Sequence, residues 1–122
     1  KYKNDIHVTG YLSDAEKEYA MKETSCLMFV SWYEGFGIPV LEALATNTNI
    51  VTSNTSSLNE IGKGYCYQSN PADPADIASN VHTIMEKGNL KKVNLSEFQN
   101  EWSWKQCALK TISVYHKAHD YM

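Results

Sequence analysis

Cys26-Leu27-Met28-Phe29-Val30-Ser31-Trp32-Tyr33-Glu34-Gly35-Phe36-Gly37-Ile38-Pro39-Val40-Leu41-Glu42-Ala43-Leu44-Ala45 is the stretch that decides the fold. Its first five residues are continuously apolar, as in a strand buried on both faces. A glycine-rich turn, Glu34-Gly35-Phe36-Gly37, follows at once. Pro39 suits the first turn of a helix, where its missing N–H costs nothing. Val40 to Ala45 is rich in good helix formers. Strand, tight turn and helix in immediate succession are the opening half of a parallel βαβ unit.

The same alternation extends in both directions. Upstream, Ile6-His7-Val8-Thr9 reads as a short strand ending at Gly10. Ser13 and Glu16 then form a capping box that opens a helix through about Thr24. Downstream, Asn49-Ile50-Val51-Thr52 is a third strand, and Ser57 with Glu60 a second capping box. Tyr65-Cys66-Tyr67 is a fourth strand. Asp73 as N-cap and Pro74 at the first helical position open another helix, with Ile77, Val81, Ile84 and Met85 on one face and Gly88 as its stop. Ser103 and Gln106 cap a last helix, along which Trp104, Ala108, Ile112 and Tyr115 form an apolar line. About four short strands separated by helices predict an α/β fold, a Rossmann-like parallel sheet with helices on both faces. Ligands of such sheets bind beyond the carboxyl ends of the strands. The turn after Cys26–Val30 is therefore the first place to look for a site.

Composition narrows the classes. The chain has 122 residues, 43% hydrophobic and 20% charged, which fits one ordinary globular domain and not disorder. Eleven basic residues, all Lys, against fourteen acidic ones give a net charge of −3, opposite to the basic surface of a nucleic-acid binder. No apolar run is long enough to cross a bilayer. The three cysteines form no short-spaced pair, a pattern of reduced thiols and a cytoplasmic setting. Asn54-Thr55-Ser56 and Asn94-Leu95-Ser96 match the glycosylation sequon, which matters only in a secreted protein. The chain begins at Lys1, so it is expected to be a piece of a longer protein.

The turn itself suggests chemistry. Gly35 and Gly37 let backbone approach a ligand closely. The first amides of the helix behind them have no intrahelical partner and suit an anion such as a diphosphate. Such a turn also joins many strands to helices with no ligand at all. Glu34 on the turn and Glu42 on the helix flank those amides, and a carboxylate accepts two hydrogen bonds from a vicinal diol. Glu34 reads equally as a solvated loop residue, and Glu42 as an anion favoured near a helix N-terminus. His116 and His119 share a helix face but lack a third ligand, so a metal site is not expected there.

The run Glu34-Gly35-Phe36-Gly37-Ile38-Pro39-Val40-Leu41-Glu42-Ala43-Leu44-Ala45 resembles the E-x7-E signature of the group 1 (family 4) glycosyltransferases of GT-B fold. The likeness continues through Val8 to Asp14, Thr52 to Gly62, Asn70 to Asp73 and Trp102 to Trp104, in order, along nearly the whole chain. It implies that residues 1–122 are part of the C-terminal, nucleotide-sugar-binding domain, with the N-terminal acceptor domain absent. It implies a retaining transferase that moves a glycosyl group from a nucleotide-diphosphate sugar to an acceptor, without a metal or other cofactor. By the same resemblance the candidate catalytic residues are Glu34, on the donor sugar, and Glu42, on the ribose. Gly35, Phe36 and Gly37 would present amides to the sugar and diphosphate. Val40 and Leu41 would lie against the nucleotide, and Gly10 and Tyr11 would border the base.

The chain also departs from the family pattern. Val30 stands where a Pro usually precedes the serine, and Asn59 replaces the Pro before Glu60. Asn47 replaces a Gly, and Lys17 sits where an apolar residue is usual. The family's basic pair for the diphosphate has no counterpart, so the chain alone is expected to be inactive. An open sheet edge would invite self-association. Membrane association would be decided by the acceptor domain. The rival reading is a non-catalytic phosphate- or nucleotide-binding Rossmann-like module. It would need the amides of residues 35–37 but not the carboxylates beside them, which repel an anion.

Overall fold

The computed structural model describes residues 2–88, 90 and 92–119. A single turn of 3-10 helix, Lys3–Asp5, precedes α1 (Asp14–Glu23), β1 (Leu27–Phe29), α2 (Ile38–Ala45), β2 (Ile50–Ser53), α3 (Ser56–Gly62), β3 (Tyr67–Ser69), α4 (Pro74–Lys87), α5 (Leu95–Glu101) and α6 (Trp104–His119). The chain divides into two compact units, Lys1–Lys91 and Lys92–Met122. The first holds the sheet and the second holds α5 and α6.

The three strands are parallel, in the order β1-β2-β3. Their register aligns Met28 with Val51 and Tyr67, and Phe29 with Thr52 and Gln68. All four residues of the central strand β2 are buried. Val40, Ala43 and Leu44 of α2 and Leu58 and Ile61 of α3 complete the core. Side chains alternate across a strand, so Thr52 and Ser69 belong to opposite faces. On the Thr52 face α3 comes so close that a Cβ on Gly62 would lie 2.9 Å from Thr52 Cγ2. On the Ser69 face Asn80 of α4 donates to Ser69 Oγ at 2.8 Å. Helices thus cover both faces, and the fold is α/β and Rossmann-like.

Local signals placed several elements correctly. Ser13 and Glu16 make the full capping box of α1. Asp73 accepts from the Ala75 and Asp76 amides at the start of α4, and Gly88 ends that helix at φ 74°. Asn47 adopts φ 56°, the conformation that the glycine it replaces would adopt freely.

Other expectations are corrected. Among the described residues there are three strands, not four. Ile6–Thr9 forms no ladder, and Val8 is 93% exposed, because a strand pattern becomes a strand only beside a partner edge. The last strand starts at Tyr67 and not Tyr65, since the Tyr65 and Cys66 amides are taken by the Gly62 carbonyl in the turn closing α3. Helix α3 has Thr55 as its N-cap residue, without a side-chain cap, and Ser57 makes no capping box. Helix α5, capped by Asn94 accepting from Ser96 N, lies where the sequence reading placed no element. Met85 of α4 and Trp104, Ile112 and Tyr115 of α6 are exposed. An apolar stripe marks the face a helix can bury, and tertiary structure decides whether it does.

Candidate functional site

The turn between β1 and α2 is held by hydroxyls from one segment of the next strand and helix. Thr52 Oγ1 donates to the Phe29 carbonyl at 3.0 Å, and Ser53 Oγ donates to the Ser31 carbonyl at 2.6 Å. Thr55 Oγ1 reaches the Trp32 carbonyl at 3.3 Å. Ser56 Oγ accepts from Glu34 N at 3.3 Å, and Ser57 Oγ donates to the Glu34 carbonyl at 2.9 Å. The backbone of Glu34 is therefore fixed on both sides by α3. Its carboxylate is fixed as well, because Ser31 Oγ donates to Oε1 at 2.8 Å. Ser56 sits at φ 51°, an uncommon conformation for a residue with a Cβ, found where surrounding contacts over-determine the backbone.

The two glycines have different physical reasons. Gly37 is the buried N-cap of α2 at φ 106°. A Cβ there would lie 2.7 Å from Leu58 Cδ2. Gly35 has no positive φ, and a Cβ on it would meet no atom of the chain within 4 Å. Packing explains Gly37 and does not explain Gly35. Phe36 between them is 47% exposed.

Glu42 lies on α2, eight positions after Glu34 and partly buried. Lys17 of α1 donates to Glu42 Oε1 at 2.6 Å. The Glu42 carboxylate beside it holds the Lys17 ammonium above the ordinary lysine range, against the opposing effect of burial. Helix α1 is tied down independently at its far end, where Thr48 Oγ1 donates to the Met21 carbonyl at 2.7 Å. The side chain of Val40 is completely buried with Ala43 and Leu44, and its amide donates to the Gly37 carbonyl at 3.0 Å. Leu41 is partly exposed. Gly10, at φ 70°, and Tyr11, 97% exposed, have no hydrogen bond to residues 34–42 among the described residues. Glu34, Gly35, Phe36, Gly37 and Glu42 thus share one turn and helix, and Gly10 and Tyr11 lie on the segment that leads into α1.

Sequence reasoning missed Ser31, Ser53, Ser56 and Ser57 as supports. The signal was the run Thr52-Ser53-Asn54-Thr55-Ser56-Ser57, with five hydroxyls in six residues, which follows a strand parallel to β1. Among the described residues no three His, Cys, Asp or Glu side chains cluster to hold a metal ion.

A family model for the group 1 glycosyl transferases matches residues 1–102. The chain belongs to this family. This group 1 glycosyltransferase chain is 26% identical over 113 residues to an O-antigen chain mannosyltransferase B of Escherichia coli, covering 90% of the chain and 30% of that protein. It is 28% identical over 120 residues to an MMP alpha-(1->4)-mannosyltransferase of Mycolicibacterium hassiacum, covering 93% of the chain and 29% of that protein. It is 26% identical over 122 residues to an uncharacterized glycosyltransferase of Methanocaldococcus jannaschii, covering 94% of the chain and 34% of that protein. The chain therefore spans about a third or less of these relatives. No solved structure matches it significantly. No described helix is long and apolar enough to cross a membrane.

Proposed function

We propose that this chain is the donor-binding segment of a retaining glycosyltransferase. A longer protein containing it would move a glycosyl group from a nucleotide-diphosphate sugar to an acceptor hydroxyl. The observation that carries the reading is the Glu34 carboxylate, held by Ser31 at 2.8 Å on a turn whose backbone is itself clamped. A fixed carboxylate at the carboxyl end of a strand suits a hydroxyl-rich ligand. The amides of residues 35–37 and the start of α2 would face the diphosphate, with no metal required. Glu42 would accept from the ribose. The site would take a hexose, and the mannosyltransferases among the relatives make mannose the first sugar to try. Acceptor binding and the remaining catalytic groups would lie in the rest of the protein.

The test is an amide NMR titration of the chain with UDP, GDP and ADP in turn, alongside Glu42→Ala. The expected result is a set of shifts centred on residues 34–42 for one nucleotide, weakened in the variant. Silence toward all three, both here and in the full-length protein, would instead favour a non-catalytic module.

A further inference from the structure

We infer that Lys17 is a positioning residue of the donor site, holding Glu42 by one carboxylate oxygen so that the other is offered to the nucleotide's ribose hydroxyls. The inference rests on the proposed role of Glu42. Lys17 comes from α1, 25 positions earlier in the chain, and its ammonium is 2.6 Å from Glu42 Oε1. The contact joins two elements, and its side chains are only 39% and 33% exposed. Because the partners sit on different helices, the packing of α1 against α2 sets where the two side chains meet. Glu42 Oε2 has no hydrogen-bond partner among the described residues. An ionised carboxylate held at one oxygen keeps acceptor sites for a diol.

Asp14, fully exposed, lies 3.5 Å from the same ammonium. Because the Thr48 donation to the Met21 carbonyl also ties α1 to the segment before β2, the Lys17 contact is not the helix's sole tether.

The experiment uses the full-length protein and whichever of UDP, GDP and ADP it binds most tightly, with the 2′-deoxy form of that nucleotide as comparison. Dissociation constants are measured for the parent, Lys17→Met, Lys17→Gln and Lys17→Arg, with thermal melting beside each. Lys17→Met and Lys17→Gln should weaken the ribonucleotide about tenfold and the deoxynucleotide no more than about twofold. Lys17→Arg keeps the cation and should stay within about threefold of the parent. Unchanged affinity, equal weakening of both nucleotides, or weakening that merely tracks a fall in melting temperature would overturn the inference. Glu42→Ala separates it from the reading beneath: if that variant binds the ribonucleotide like the parent, the role of Glu42 fails first.

Discussion

At the residue scale the two turn glycines should separate folding from binding. Gly37→Ala places a Cβ 2.7 Å from Leu58 Cδ2 at a left-handed φ, and should cost about 2 kcal/mol or more in urea unfolding. Gly35→Ala meets nothing in the chain, so its melting should match the parent while nucleotide affinity falls. Equal melting losses in the two variants would defeat that distinction. Ser31→Ala removes the donor to Glu34 Oε1 and should lower turnover of the full-length protein about tenfold with little loss of stability. Burial pushes the Cys66 thiol up from the ordinary 9.0 to about 12. Its folded value exceeds its unfolded one, so the stability gained by keeping it neutral is whole below pH 9.0 and declines as pH climbs towards 12. The native chain should therefore be alkylated first at exposed Cys107 and last at Cys66; the opposite order by peptide mapping would contradict this burial.

Among the elements, legibility followed how local the cause was. Ser13 with Glu16 and Asp73 with Pro74 announced α1 and α4 because a cap is settled within four residues. Ile6–Thr9 carried a strand pattern as good as that of β2, yet a ladder needs a neighbour and no pattern within the segment supplies one. The same limit applies to Ser57, which has the spacing of a capping box with Glu60 and spends its hydroxyl on the Glu34 carbonyl. Glu34 and Glu42 could be picked from the motif, whereas Ser56 and Lys17 reach the site only through tertiary packing. The α1 box also has a pH signature. Hydrogen bonds from Ser13 hold the Glu16 carboxyl below its ordinary 4.5. Its contribution is present above that value and fades as pH falls through the lowered one, so amide protection factors at the start of α1 should fall in acid. Glu16→Gln should flatten that dependence.

For the whole molecule, the span matters most. The chain covers about a third or less of its relatives, and one edge of its described sheet is β1, paired only with β2. The purified 122-residue chain should therefore show no transfer of sugar to any acceptor, and detectable turnover would refute the expectation that the acceptor-side groups lie elsewhere. The clamp from Thr52 to Ser57 bears on how such an enzyme can be altered. The strand at the heart of the core continues into the segment that sets the pose of the turn. An engineer seeking a new sugar has two kinds of substitution to choose from. Under the proposed donor role, changes at 34–37 would alter what the sugar touches. Changes at 52–57 would shift where those groups stand without meeting the sugar, and each would draw on the same buried strand that keeps the protein folded. Libraries confined to ligand-facing positions would leave that second kind of variation unexplored.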